Sequence, residues 1–209
     1  MWGIVVTGKM TKGERTRQRI LDAAEGLFGE SGYDNTSLRD VAERVGIKEP
    51  GIYNHFRNKE ALYRDVLTRA LQPLADVISE TLNSGLNERV LQDLPGKITD
   101  LLSEHPAMPG LFHQALSGKS GDAGQVAMED WLQRLFAQGE SLWEALSVDP
   151  ASDHKRITLK MIMMFNAVTG YFLSQKILDQ AQMGSVLDPE NLAAQKQLMA
   201  GVMQVFADA

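Results

Sequence analysis

The sequence predicts an all-α protein. Apolar residues recur at spacings of three and four residues in most segments of the 209-residue chain, which is the pattern of an amphipathic helix. No segment shows the alternation of apolar and polar residues that is typical of a strand. Glycine or proline separates the helical segments. We therefore expect about nine helices, of which the first few form a three-helix helix-turn-helix domain and the rest form a C-terminal helical domain.

The composition is that of a globular protein, with 44% apolar and 23% charged residues. There are no cysteines, which excludes disulfides, thiol nucleophiles and cysteine-based zinc sites and agrees with a reducing compartment. We expect a cytoplasmic protein. The longest nearly apolar run, residues 161–173, is well short of the roughly 20 residues of a spanning helix, so no membrane partner is predicted.

Charge is distributed unevenly along the chain. Residues 1–72 hold 12 Lys and Arg against 10 Asp and Glu, which is a net charge of +2. The remaining residues carry a net charge of −8, so the whole chain has a net charge of −6. Five basic residues cluster at the start of the first predicted helix: Lys9, Lys12, Arg15, Arg17 and Arg19. This cluster indicates either contact with nucleic-acid phosphates or an ordinary solvated helix start.

The most informative stretch runs from Thr36 to Tyr63. Thr36 or Ser37 can cap a short helix, whose apolar positions recur at helical spacing until Gly46 provides a C-terminal cap. A second helix of about two turns should begin within a residue or two, with Pro50 in its first turn. Two helices joined by so tight a turn predict a helix-turn-helix.

The second helix buries Ile52 and Phe56 and exposes donors, acceptors and a small residue, as a helix in a DNA major groove requires. Asn58 can cap a further helix whose first residue is Lys59, so that free N–H groups and an ammonium group would meet one phosphate. The hydroxyl at Thr36 or Ser37 can serve either as a cap or as a phosphate contact. For Tyr53 the alternatives are a half-buried ring and a phosphate contact. The predicted DNA-binding residues are Thr36, Ser37, Lys48, Glu49, Gly51, Tyr53, Asn54, His55 and Lys59.

These residues resemble a known family. The segments GYDNTSLRDVAERVGI and GIYNHFRNKEALY resemble the N-terminal domain of tetracycline-repressor-like (TetR family) transcriptional regulators, and RTRQRILDAAEGLF resembles that family's first helix. The resemblance implies a homodimeric repressor of a palindromic double-stranded DNA operator, with a C-terminal domain that senses a small molecule. Lys48 departs from the family's usual Ser or Thr cap, so the operator cannot be inferred from a relative.

The resemblance covers roughly residues 13–73, which we expect to form the DNA-binding domain. Residues 1–12 are expected to be a flexible extension, with Met10 as an alternative start, and residues 74–209 to form the ligand-binding and dimerisation domain. Pro73 lies within a predicted helix at 59–83 and predicts a kink or a break there. The other predicted helices cover residues 12–31, 88–105, 106–116, 123–146, 153–181 and 189–207.

The segment MIMMFNAVTGYFL is apolar nearly all round, so its helix should be covered by its own core on one side and by a second subunit on the other. The last predicted helix carries an apolar stripe that would pack beside it, in the four-helix interface that the family resemblance implies. The predicted interface residues are Met164, Tyr171, Met199, Val202 and Phe206.

Eight of the ten methionines lie after residue 105, among several aromatic residues. Flexible thioethers and rings suit a pocket for a small hydrophobic effector, although they suit an ordinary core equally well. The predicted ligand-binding residues are Phe112, His113, Trp131, Phe165 and Asn166. The alternative is that the C-terminal domain serves only for dimerisation or protein interaction and has no inducer.

Other chemistry is disfavoured. The loop LSGKSGD contains Gly-Lys-Ser, but a phosphate-binding loop requires glycine where this chain has His113, and it requires a preceding strand. The four histidines show no i, i+4 pairing and no Ser-His-Asp signature is present. We therefore predict no metal, no cofactor and no enzymatic activity.

Overall fold

The computed structural model describes residues 10–84, 88–116, 126, 129–134, 137 and 154–208. This part of the chain is almost wholly helical and contains no strand, as the sequence predicts. Its helices are α1 Lys12–Ser31, α2 Leu38–Val45, α3 Pro50–Tyr53, α4 Lys59–Asn83, α5 Glu88–Glu104, α6 Met108–Leu116, α7 His154–Phe172, α8 Gln175–Gln180 and α9 Pro189–Asp208. Residues 129–134 are also helical. Within the described ranges no helix is long and apolar enough to cross a membrane.

Two helices differ from the prediction. The single helix predicted at 153–181 is divided into α7 and α8, because the chain turns tightly where the N–H of Ser174 donates to the carbonyl of Tyr171 at 3.0 Å. The Ser174 hydroxyl reinforces the turn by donating to the carbonyl of Gly170 at 2.8 Å. The α3 helix has four residues rather than two turns, since the N–H groups of His55 and Phe56 both point to the carbonyl of Ile52. Most of the helix predicted at 123–146 lies outside the described residues.

The first three helices enclose a core with the start of α4. Ile20 and Phe28 of α1, Val41 of α2, Ile52 of α3 and Leu62 of α4 are fully buried. Burial of side chains of this size contributes about 1.5 to 3 kcal/mol each. The spacing of these residues in sequence therefore leads directly to a compact helix-turn-helix.

Charged side chains connect these helices at the surface of that core. Arg17 of α1 pairs with Asp65 of α4 at 2.6 Å, and Arg69 of α4 pairs with Asp22 and Glu25 of α1. These long-range pairs are partly exposed, so each contributes little free energy, about 0 to 1 kcal/mol. They link α1 to α4 at the surface, beside the apolar contacts that hold the two helices together.

The α6 helix packs against the C-terminal half of α1 through glycines. A Cβ on Gly110 would lie 2.5 Å from the carbonyl oxygen of Gly29, and a Cβ on Gly29 would lie 2.8 Å from that of Ala107. Such contacts bring two helix backbones together at a distance that only glycine permits. The α6 helix is therefore held closely on the helix that carries the helix-turn-helix.

The α4 helix continues through Pro73. Of the kink and the break that the sequence predicted as alternatives, the break is therefore excluded. Its distal half packs on α5, and α9 lies along α5, where Lys196 pairs with Asp100 at 2.7 Å. The α7 helix packs on both α5 and α9. The α4, α5, α7 and α9 helices thus surround a common interior, which α6 closes on one side.

Candidate nucleic-acid interface and ligand cavity

The turn between α2 and α3 is built by local capping. The Ser37 hydroxyl accepts from the N–H of Asp40 at 3.1 Å, and the Asp40 carboxylate accepts from the N–H of Ser37 at 2.8 Å. Hydrogen bonds from the side chain and backbone of Ser37 hold the pKa of Asp40 below its usual value. Gly46 has φ 76°, in the left-handed region, and ends α2. The sequence predicted the Gly46 cap and left the N-terminal cap open between Thr36 and Ser37; the structure gives Ser37.

The residues around α3 divide between the core and the surface. Ile52 and Phe56 are buried, with 0% and 3% exposure. Tyr53 is 53% exposed. Of the other predicted DNA-binding residues here, Lys48 and Asn54 are exposed, and Glu49, Gly51 and His55 are half-buried. The arrangement offers one surface with both donors and acceptors.

Thr36 corrects one prediction. Its side chain is 3% exposed, and its hydroxyl donates inward, at 2.9 Å from the carbonyl of Gly32 and 3.2 Å from that of Leu27. The hydroxyl therefore satisfies carbonyls at the end of α1, and its side chain does not face outward. Ser37, the exposed neighbour, is the residue that caps α2.

The start of α4 lies beside the same surface. Asn58 caps the helix by accepting from the N–H of Ala61 at 2.8 Å, as predicted. The Lys59 ammonium group lies 4.1 Å from the centroid of the Tyr33 ring. Burial lowers the pKa of Lys59, while the carboxylates of Asp34 and Asp40 raise it. The cation is thus held at the helix N-terminus, where N–H groups and positive charge favour an anion.

The described residues of the predicted basic cluster are placed in two ways. Arg19 donates to the carbonyl of Val45, the last residue of α2, at 2.5 Å. The Arg17 guanidinium pairs with Asp65 and lies 4.9 Å from the centroid of the Phe56 ring. These two arginines therefore hold α1 to the rest of the domain. Lys12 and Arg15 are exposed, and Lys9 lies outside the described residues.

An apolar cavity of about 100 Å³ lies between α4, α5, α6, α7 and α9. Apart from Lys160 and Thr169, the described lining is apolar. The lining residues are Leu74, Ile78, Leu94, Pro95, Ile98, Leu102, Phe112, Lys160, Met161, Met164, Phe165, Val168, Thr169 and Met203.

The five predicted ligand-binding residues are placed in three ways. Phe112 and Phe165 line the cavity, with ring centroids 5.7 Å apart. Trp131 is buried and stacks on Phe112 at 5.7 Å, behind the lining. His113 and Asn166 are exposed, which corrects the prediction that they are ligand-binding residues. Each follows a residue that faces inward, and one step along a helix turns the side chain away by about 100°.

The polar residues of the cavity wall are ones that we did not predict. The Thr169 hydroxyl donates to the carbonyl of Phe165 at 2.7 Å. Lys160 donates to the main-chain carbonyl of Phe206 at 2.5 Å. A signal for Lys160 was present, because it is the one charged residue in the apolar run ITLKMIMMFNAV.

The predicted interface residues mostly face the interior of this subunit. Met164 lines the cavity, Met199 is 9% exposed, and the Tyr171 hydroxyl donates to the carbonyl of Val186 at 2.7 Å. Val202 and Phe206 are half-buried. Five other apolar residues of the same two helices are exposed, and we call this set the α7/α9 face: Leu159, Ile162, Met163, Leu198 and Val205.

Residues 20–66 match the family model of the bacterial regulatory proteins, tetR family. The chain is 34% identical over 93 residues to the probable acrEF/envCD operon repressor of Escherichia coli K12, covering 43% of this chain and 41% of that protein. It is 37% identical over 73 residues to the transcriptional repressor KstR2 of Rhodococcus jostii, covering 35% and 36%. The chain therefore matches less than half the length of these relatives.

Solved structures extend the similarity of fold to nearly the whole chain. A TetR-family transcriptional regulator from Bordetella parapertussis superposes with a TM-score of 0.73 at 17% identity, covering 94% of this chain and 96% of the other. The ketosteroid regulator KstR2 of Mycobacterium tuberculosis superposes with a TM-score of 0.68 at 20% identity, covering 95% and 96%. At these identities the comparison establishes a shared fold.

Proposed function

We infer that this chain belongs to the tetR family of bacterial regulatory proteins. From that premise we propose that it is a homodimeric transcriptional repressor. In this proposal it binds a palindromic operator in double-stranded DNA and is released by a small hydrophobic effector. A repressor acts where the chromosome lies, so we place it in the cytoplasm.

The exposed residues around α3 would read the operator. Lys48 and Asn54 can reach base edges in the major groove, where Lys pairs with guanine and Asn with adenine. Ser37, Tyr53 and Lys59 would contact phosphates on either side and set the position of the domain on the duplex. Each group is at the surface of one small, rigidly packed domain, which supports this assignment.

The observation that carries the proposal is the course of α4. This helix begins at Lys59, beside the candidate DNA surface, and its Leu74 and Ile78 line the cavity. A ligand that displaces the distal half of a continuous helix must also displace the proximal half. Binding of DNA and binding of the ligand would therefore weaken each other, with a coupling free energy of about 1 to 3 kcal/mol.

The α7/α9 face supports a homodimer. Leu198 and Val205 are 66% and 64% exposed on α9, and Met163 is 58% exposed on α7. A two-fold axis beside these helices would bury the same apolar patch on both subunits. It would also join two DNA-binding domains, which would then read half-sites about one helical turn apart.

The test combines DNA selection with sedimentation. DNA selected from a random library should contain two inverted half-sites, and the protein should sediment as a dimer at micromolar concentration. A folded monomer, or the absence of any enriched sequence, would contradict the proposal. The alternative, a C-terminal domain without an inducer, would be favoured if no hydrophobic compound both raises the melting temperature and weakens operator binding.

A further inference from the structure

The eight arginines of residues 10–70 differ in whether they have a partner within the protein. Five of them contact an acceptor of the chain itself: Arg17, Arg19, Arg39, Arg64 and Arg69. The other three, Arg15, Arg44 and Arg57, are exposed and have no hydrogen-bond or ion-pair partner among the described residues. A guanidinium group has five N–H donors, so these three can bind an anion from outside the protein.

Arg57 lies in the turn between α3 and α4, beside the candidate DNA surface. Phe56, which precedes it, is 3% exposed and packs in the core. Asn58, which follows it, caps α4 by accepting from the N–H of Ala61 at 2.8 Å. Both neighbours are therefore fixed, while the Arg57 side chain is exposed. At 3.8 Å per residue, the Cα atoms of Arg57 and Lys59 are at most about 7.6 Å apart.

The charge at the start of α4 favours a second cation for phosphate binding. Lys59 is accompanied by two carboxylates, Asp34 and Asp40, whose negative charges act on it. One ammonium group and two carboxylates give a net charge of −1, so the carboxylates offset the attraction of Lys59 for a phosphate. Arg57 has no carboxylate partner among the described residues, and its charge brings the sum to zero. The attraction for a phosphate is then centred on the guanidinium group.

The protein alone does not account for a cation at residue 57. This residue directly precedes the cap of α4, and the partial positive charge of a helix N-terminus disfavours a neighbouring cation. Arg44 differs, because it lies in the last turn of α2, where the partial negative charge of the helix end favours a cation. Arg15 belongs to the basic cluster at the start of α1, for which the sequence already predicts phosphates or solvent. Arg57 is therefore the arginine whose charge an external anion best explains.

We propose that the Arg57 guanidinium group binds a backbone phosphate of DNA beside α3, in addition to the contacts of Ser37, Tyr53 and Lys59. This inference rests on the proposed function, since it adds a contact to the same surface. A guanidinium group can bind two oxygens of one phosphate at once. Such a contact carries no sequence information, but it fixes the position of the domain on the duplex.

The experiment measures the affinity of the full chain for two duplexes at salt concentrations between about 50 and 200 mM. One duplex is selected by the wild type from a random library, and the other is a scrambled duplex of the same length. The variants are Arg57→Gln, which removes the charge, and Arg57→Lys, which keeps it. Arg64→Gln is the matched control, because it removes the same charge from an exposed arginine of α4, whose Nε lies 3.9 Å from Asp65 Oδ1. Circular dichroism gives the melting temperature of each protein.

In Arg57→Gln the slope of log affinity against log salt concentration should become less negative by about 0.9 for each half-site, or about 1.8 for a dimer. Binding should weaken roughly tenfold on both duplexes, without a change in melting temperature. Arg57→Lys should keep the slope, and Arg64→Gln should match the wild type. An unchanged slope in Arg57→Gln, an equal change in Arg64→Gln, a loss of slope in Arg57→Lys, or weakening on the selected duplex alone would overturn the inference.

The two duplexes distinguish this inference from the proposed function. If the wild type selects a sequence but Arg57→Gln keeps the wild-type slope, the inference fails and the DNA-binding function stands. If the wild type selects no sequence but binds duplex DNA with a slope that depends on Arg57, the phosphate contact stands and the sequence-specific repressor fails. If the wild type binds neither duplex, both proposals fail.

Discussion

Gly110 of α6 lies against the carbonyl oxygen of Gly29 of α1 so closely that a Cβ on Gly110 would be 2.5 Å from that oxygen. Two residues further along α6, Phe112 lines the cavity. The α6 helix therefore connects the cavity to α1, and α1 in turn packs on α2. This path exists beside the course of α4, so the proposed effector would act on the proposed DNA-binding domain through two helices.

Gly110→Ala should force α1 and α6 apart, because the new methyl group meets backbone rather than a flexible side chain. We expect a loss of about 1 to 3 kcal/mol in the free energy of unfolding, as for other overpacked sites. Urea denaturation measures this change. Gly26→Ala is the matched control within α1, since nothing lies within 4 Å of its Cβ position. It should be neutral or stabilising by up to about 1 kcal/mol, and equal effects of the two substitutions would contradict the close packing.

Lys48→Ala and Asn54→Ala should relax sequence preference, because these exposed side chains are proposed to contact bases. Each lost bidentate contact should cost about 1 to 3 kcal/mol at particular base pairs. Lys59→Ala should instead weaken all DNA sequences alike and reduce the salt dependence of binding. Selection of DNA by each variant, together with affinities at several salt concentrations, separates the two kinds of contact. Unchanged selection profiles for Lys48→Ala and Asn54→Ala would mean that α3 is not the reading element.

Leu198→Glu should produce a folded monomer that binds operator DNA poorly. Leu198 is 66% exposed in the subunit, so the charge harms the subunit little, but an unpaired charge buried in a dimer costs several kcal/mol. Sedimentation and circular dichroism measure assembly and folding. Leu198→Gln is the neutral comparison and should dimerise more strongly than Leu198→Glu. A fully dimeric Leu198→Glu variant would place the interface elsewhere. Val202→Glu does not separate assembly from folding, because Val202 packs partly on the core of its own subunit.

Tyr63→Phe should stabilise the protein. Tyr63 is fully buried against Phe28 and Tyr33, and among the described residues its hydroxyl has no hydrogen-bond partner. Removing an unsatisfied buried hydroxyl should raise the free energy of unfolding by about 1 kcal/mol. The matched substitution Tyr171→Phe should have the opposite sign, since the Tyr171 hydroxyl donates to Val186 at 2.7 Å. Loss of stability in both variants would show that the Tyr63 hydroxyl has a partner in solution.

The cap of α2 should contribute to acid sensitivity. The pKa of Asp40 is lowered in the folded state. The contribution of this carboxylate to stability is therefore fully present above the unfolded pKa of about 3.9, and it is lost as the pH falls through the lower pKa of the folded state. Asp40→Asn should therefore destabilise the protein at neutral pH and reduce the dependence of stability on pH below about 4. Denaturation curves of both proteins across this range measure the difference. Parallel pH profiles would exclude the carboxylate as a source of acid sensitivity.

The boundaries of α1 and α4 and the caps at Ser37, Gly46 and Asn58 could be read from the sequence, because a cap and a helical repeat depend on residues within one or two turns. The position of α3 between α2 and α4 followed for the same reason. Its length did not, since the carbonyl of Ile52 accepts from two N–H groups and ends the helix early.

The cavity and the place of Lys160 in its wall depend on the tertiary structure. The sequence placed Phe112 and His113 together as candidate ligand residues, but only the packing of α6 on α1 and on the cavity turns Phe112 inward and His113 outward. Likewise, the sequence made Arg17 and Arg19 candidates for phosphate contact. In the structure Arg17 pairs with Asp65, 48 residues away, and Arg19 donates to the carbonyl of Val45, 26 residues away. Lys160 meets Phe206 across 46 residues. Contacts between helices depend on which face each helix buries, and that choice is made jointly by all the helices that share the interior.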